Sequence, residues 1–203
     1  MIDGIRPQWS RSLAMSSTTM KSSGIIVHLI LAVALAGCAP NMASYYRPSV
    51  MGGQLRTPSC VPTESLVDFT VGNGRVQLPI RAFADDGKYV RQVALFFSRG
   101  SWKTFHFVST DFRIHDLDKN ITIQPAAVRV FSEHGMAPLT TAPFSLPDAK
   151  QPIRFNVQIT LPGRMPDNFE LLSPSIVIDG EEMAFPPMRF ERKVWTGISP
   201  LNC

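Results

Sequence analysis

Apolar and polar residues alternate along most of the second half of the chain and much of its middle. The clearest run is Arg154–Leu161, where Phe155, Val157, Ile159 and Leu161 interleave with Arg154, Asn156, Gln158 and Thr160. A period of two places one set on each face of a strand, one buried and one wet, as in antiparallel sheets. The pattern begins at Leu66, with Val67, Phe69 and Val71 on one face. Gly72-Asn73-Gly74 then signals a hairpin, because Asn and Gly tolerate positive φ. The return strand carries Val76, Leu78 and Ile80, and Pro79 within it, lacking an N–H, predicts an edge strand or a bulge. Tyr89–Phe97 becomes apolar on both faces, which predicts a central strand buried from both sides.

Further strands are predicted at Trp102–Ile114, with Phe105 and Phe107 on one face, and at Ile121–Phe131, interrupted near Pro125. Ser132–Gln151, with three prolines, reads as a long connection. Phe169–Ile178 and Met183–Phe190 predict a closing hairpin around Asp179-Gly180, its second arm distorted by Pro186-Pro187. Val194–Cys203 shows no strand alternation. About eight short strands separated by turn signals, with no convincing helix, predict an all-β fold, an antiparallel β-sandwich. A small closed β-barrel is the alternative, disfavoured by the many prolines.

The first third of the chain has a different character. Ile25–Ala36 is an apolar run ending in Leu35-Ala36-Gly37-Cys38. It is short for a membrane span, which needs about 20 apolar residues, and fits the apolar region of a signal peptide, with Lys21 as the positive flank. The four residues resemble the lipobox of bacterial lipoproteins. That resemblance implies cleavage before Cys38, acylation of Cys38 and attachment to a membrane. With Ala39 rather than Asp after the cysteine, it also implies the outer membrane of a Gram-negative cell, with the domain facing the periplasm. Residues 1–37 then form the signal peptide, and Met20-Lys21 makes a more ordinary start than Met1. Residues 38–59, rich in Pro and Gly, read as the lipidated N-terminus and a flexible tether. Tyr45 and Tyr46 in it read as linker aromatics or as residues resting at the membrane interface. Residues 60–203 form a single β-sandwich domain.

Charge and cysteine usage narrow the picture. Of 20 basic and 16 acidic residues, three and one fall within residues 1–37, leaving 17 and 15, a net of +2. Such a balance, without a Lys/Arg block, argues against nucleic acid. Cys60 and Cys203 remain after Cys38, and an even remainder in an oxidising compartment reads as a disulfide.

Candidate chemistry is sparse. Asp111, His115, Asp116, Asp118 and Asn120 crowd one inter-strand loop. Asp116-x-Asp118-x-Asn120 opens like a calcium loop, but Ile121 stands in place of the glycine and Ala127 in place of the bidentate glutamate. A solvated turn is the simpler reading, and no metal or other cofactor is expected. His106, His115 and His134 form no close metal pair, and no serine lies in G-x-S-x-G. No catalytic residue is assigned. Trp102 reads as core closure; Trp195 is open between core and partner contact.

These features predict an outer-membrane lipoprotein whose β-sandwich is a protein-binding or envelope-assembly module, using edge strands and loops as its contact surface. In outline it resembles the small β-sandwich lipoproteins that secretion machines anchor. The alternatives are a small-molecule carrier, requiring an apolar cavity, and an envelope enzyme using the Asp111–Asn120 loop. A filled core with exposed edges, an empty cavity, or a pocket converging on His115 would separate the three.

Overall fold

The structure, a computed structural model, describes residues 41–58, 63–87, 90–98, 100–132, 135–145 and 155–197. The strands in chain order are β1 (Asn41–Ser49), β2 (Gln54–Arg56), β3 (Leu66–Gly72), β4 (Gln77–Asp86), β5 (Arg91–Phe97) and β6 (Thr104–Phe107). Then come β7 (Arg113–Asp116), β8 (Ile121–Ile123), β9 (Ala127–Ser132), β10 (Gly135–Pro138) and β11 (Phe144–Ser145). The last five are β12 (Phe155–Thr160), β13 (Asn168–Leu172), β14 (Ile176–Ile178), β15 (Glu181–Met183) and β16 (Met188–Gly197). All pairings are antiparallel, and the sheets do not close into a barrel.

A seven-stranded sheet runs β10-β9-β12-β5-β4-β3-β2. Opposite it lie a five-stranded sheet, β1-β16-β13-β7-β8, and a four-stranded sheet, β11-β6-β14-β15. Among the described residues sixteen strands stand where about eight were expected: four long apolar runs break and their halves join different sheets, and β1, β2, β10 and β11 form in segments read as tether and connection. Trp102–Ile114 splits into β6 and β7 around the buried Phe112, and Phe169–Ile178 into β13 and β14 at Ser173-Pro174-Ser175. Met183–Phe190 splits at Pro186-Pro187 in the same way. Of the expected closing hairpin only the tip remains, with Ile178 opposite Glu181. Its central residues Asp179 and Gly180 have φ of 49° and 90°, the two positive values a tight two-residue hairpin turn requires.

The core is filled with aromatic rings. Phe97 and Phe155 of the seven-stranded sheet stack at 4.9 Å. Phe105 of the four-stranded sheet stacks on Phe155 at 5.2 Å, and Phe144 on Phe155 at 5.0 Å. Trp102, 1% exposed, closes this cluster edge-on to Phe105, as the sequence predicts. Offset and edge-to-face rings gain more than their area burial alone.

Three expectations are corrected. Ser132–Gln151, read as a long connection, contains β10, paired with β9, and β11, paired with β6. Pro79 lies in β4, between β3 and β5, not at an edge. The supposed tether is also largely strand: β1 pairs with β16 over nine residues, from Asn41 opposite Gly197 to Ser49 opposite Arg189, and β2 pairs with β3. The tail beyond Val194 accordingly continues as strand to Gly197.

The physical reason is Tyr46, 2% exposed beside Phe169 at 5.6 Å. Its hydroxyl donates to the Pro166 carbonyl at 3.0 Å and accepts from Arg192 Nη2 at 2.8 Å. The same Arg192 nitrogen pairs with Asp86 of β4. Its Nε lies 2.7 Å from Asp167 Oδ1 but off the N–H direction, so that contact is electrostatic rather than a hydrogen bond. One tyrosine and one arginine thereby fasten β1 to three other segments.

Candidate binding groove

The outward face of the seven-stranded sheet carries a half-open groove of about 940 Å³. Alternation decides its composition. On β3 to β5 and β12 the inward positions Phe69, Ile80, Phe97 and Phe155 feed the core, and the next residues along each strand face out. Cross-strand register lines up Asp68, Arg81, Phe96 and Asn156 as one row, since each is the partner of the next. Phe83 stacks on Phe96 at 5.6 Å with their planes 18° apart, making an aromatic floor. Leu66, Thr70 and Pro79 extend the lining.

One wall is charged. Asp68 accepts from Arg81 Nε at 2.7 Å and Arg81 Nη2 at 3.0 Å, and from Arg56 Nε at 3.3 Å. The hydrogen bonds from Arg81 hold its carboxyl below the usual carboxylate range, against a smaller opposing effect of burial. Two guanidinium groups on one carboxylate leave this wall one positive charge in excess. On the floor, Asn156 Oδ1 is buried and has no hydrogen-bond partner among the described residues. A buried polar atom left unpaired costs about 1–3 kcal/mol, so this amide is where a bound donor gains most.

None of the residues taken from the sequence as candidate chemistry or partner contacts, Asp111, His115, Asp116, Asp118, Asn120 and Trp195, lines this groove. Asp111 is exposed and pairs with Arg113 at 3.3 Å. His115 sits on β7 between Thr122 of β8 and Glu170 of β13. Asp116 is 1% exposed but turned onto its own hairpin. Its Oδ1 accepts from the backbone N–H groups of Asp118 and Lys119, both at 3.1 Å, and its Oδ2 meets Lys119 Nζ at 3.1 Å. Burial pushes this carboxyl up, but the bonds from Lys119 and Asp118 outweigh it, and the net result lies below the usual value. Asp118 accepts from Asn168 Nδ2 at 3.3 Å, and Asn120, at φ 53°, completes the turn. The cluster is a folded turn, and among the described residues no three His, Cys, Asp or Glu side chains are grouped to hold a metal ion.

Trp195 is half-buried on β16, opposite Ala43. Its ring leaves no room for a side chain at Gly197, where an added Cβ would stand 2.4 Å from the indole. Cys38, Cys60, Cys203 and His134 lie outside the described residues.

The groove residues escaped the sequence reading for a definite reason. Phe96 was visible as an apolar residue on the second face of β5, but that signal says only that both faces are covered. The row it belongs to is assembled from four strands, and register between strands is not written locally.

Exposed edges are present as well. Every residue of β10 is exposed, with Met136 at 53%, and Ile121 of the edge strand β8 is 48% exposed. Compared with protein-family models, curated proteins and solved structures, the chain matches none.

Proposed function

We propose that the protein is an envelope lipoprotein, acylated at Cys38 and held at the outer membrane facing the periplasm, whose β-sandwich is a protein-binding or assembly module. Leu35-Ala36-Gly37-Cys38 supports the anchor. The observation that carries the binding role is the groove: the core is packed with stacked rings, while the large concavity lies outside, on a sheet face with an aromatic floor and an unpaired buried amide. Ligand sites combine an apolar lining with a few placed polar groups, and this one does so. The enzyme reading loses support, because Asp116 is spent on its own turn and His115 does not line the groove.

A second reading, a carrier of a small amphipathic molecule, draws on the same 940 Å³ volume, which falls within the usual range of about 300–1,000 Å³ for such sites. In that case the cargo lies on the sheet face rather than inside it.

The disulfide Cys60–Cys203 belongs to the same proposal. Pro58 lines one concavity together with Ser44 and Tyr45 of β1, and β1 is the partner of β16. Six residues beyond Gly197 reach at most about 20 Å.

The test is photocrosslinking in intact cells from a benzoylphenylalanine placed at Thr70 or Phe83, with the exposed loop residue Arg164 as control. A discrete protein adduct from the two groove positions alone is expected. Adducts only from Arg164, or none, refute a protein-binding groove. In parallel, a clickable fatty acid should label the wild type and not Cys38→Ala; equal labelling removes the anchor.

A further inference from the structure

β16 outruns the sheet it belongs to. β13 covers it only from Met188 to Glu191, so beyond Lys193 its sole strand partner is β1. Residues 41–45 and 193–197 therefore form a two-stranded ribbon; its inner end, Ser44 and Tyr45, still shares a concavity with Phe83–Asp86 of β4, while its outer end, Asn41–Ala43 with Trp195–Gly197, has no further strand partner among the described residues. The ribbon's faces follow from the buried Tyr46. Ser44 and Met42 share its side of β1, and Val194, opposite Ser44, shares it on β16. Within the sheet this side buries Tyr46 and Phe190, but out on the ribbon Met42 is 74% exposed and Val194 62% exposed. The opposite side carries Tyr45 and Trp195. Between Asn41 and Tyr45, and between Lys193 and Gly197, there is no acidic residue.

The ribbon's end is also where the chain leaves for Cys38. Asn41 is three steps along the chain from Cys38, with Ala39 and Pro40 between, which allows at most about 11 Å between them. We infer that the tip of the β1–β16 ribbon, with Met42, Val194 and Trp195, is seated in the interface of a phospholipid bilayer, so that the domain stands on the lipid surface instead of hanging from a tether. This rests on the proposed acylation of Cys38. Amphipathic aromatics favour the headgroup level, apolar side chains the acyl boundary, and acidic groups neither. An exposed apolar pair at the one end that an anchor holds against lipid is accounted for by that contact.

The experiment uses the mature protein, acylated at Cys38 and free of residues 1–37 with their Trp9, reconstituted in phosphatidylethanolamine–phosphatidylglycerol vesicles, with and without bromine on the acyl chains. Trp102 is buried, so bromine quenching of fluorescence reports on Trp195. Quenching in wild type is expected, together with its loss in Trp195→Phe and in the double variant Met42→Asp, Val194→Asp, while all three proteins still float with the vesicles. Flotation without quenching overturns the seated ribbon and leaves the anchor standing. If that unquenched protein is also dimeric by crosslinking, the apolar pair belongs to a second copy. Protein that carries no acyl mass and does not float overturns both, since nothing then brings the ribbon to lipid.

Discussion

The indole Nε1 of Trp102 donates to the carbonyl of Ser98 at 3.3 Å, in the place where Pro79 has no N–H to offer. Ser98 N–H donates to the Pro79 carbonyl at 3.0 Å, so the two residues face each other as a hydrogen-bonded pair of the β4–β5 ladder. In such a pair the return bond would come from residue 79. Proline removes it, and a side chain from the following turn substitutes. This is how a proline survives in an interior strand.

Trp102→Phe should therefore do more than trim a ring. It removes the hydrogen bond to the Ser98 carbonyl, worth about 0.5–1.5 kcal/mol net, in addition to lost packing. Adding Pro79→Ala restores an N–H aimed at that carbonyl. Urea unfolding of both single variants and the double should give a double variant more stable than the sum of the two single losses predicts. Strict additivity contradicts the shared acceptor.

Tyr46 predicts an alkaline transition. Its burial, opposed by Arg192, pushes the phenol up to about 12. The unfolded chain ionises near 10. A raised folded value means the stabilisation is complete below pH 10 and is lost as pH rises through 12, on the order of 2 kcal/mol. Tyr46→Phe should be less stable than wild type at pH 7, having lost the bond to the Pro166 carbonyl. Its stability should also fall less between pH 10 and 12, measured by denaturant unfolding across that range.

Asp116 predicts the opposite pH dependence. Its folded value is depressed, so its contribution is present above the unfolded carboxylate value near 4 and is lost as pH falls through the lower folded one. Asp116→Ala should cost about 1–3 kcal/mol at pH 7. The difference from wild type should shrink at pH 3. A gap that is the same at both pH values means the backbone bonds from Asp118 and Lys119 do not depend on charge.

The fold class was legible because burial follows the period of two. Val67, Phe69 and Val71, Leu78 and Ile80, and Phe155, Val157 and Ile159 are all buried as their spacing requires. The division of the long runs between sheets was not legible, since the alternation does not say which partner a strand takes on either side of a bend. β1 was least legible of all. Asn-Met-Ala-Ser-Tyr-Tyr-Arg-Pro-Ser buries only Tyr46 and Pro48 within its bounds, and its strand character comes from β16, far along the chain. The Asp111–Asn120 loop drew attention by composition alone, and its carboxylates turn out to shape a bend.

The proposed staple has a direct check. Intact mass of the purified mature protein, alkylated without reduction, should show no added groups, and two after reduction. Two groups added without reduction mean free thiols. If the bond is present, Cys60→Ser or Cys203→Ser should lower stability by about 2–5 kcal/mol, and the double variant no further.

Tyr46 and Arg192 are 146 positions apart, yet they sit side by side on adjacent strands. The first strand of the domain to leave the ribosome or a translocation pore is thus paired by the last. Until Met188–Gly197 has emerged, β1 keeps a bare row of backbone donors and acceptors, and Tyr46 lacks its arginine. Loop closure over that distance comes late in folding. The register works as a completeness check: a chain stopped before Met188 cannot seat its own first strand, and it presents an open edge to proteases and to other nascent chains.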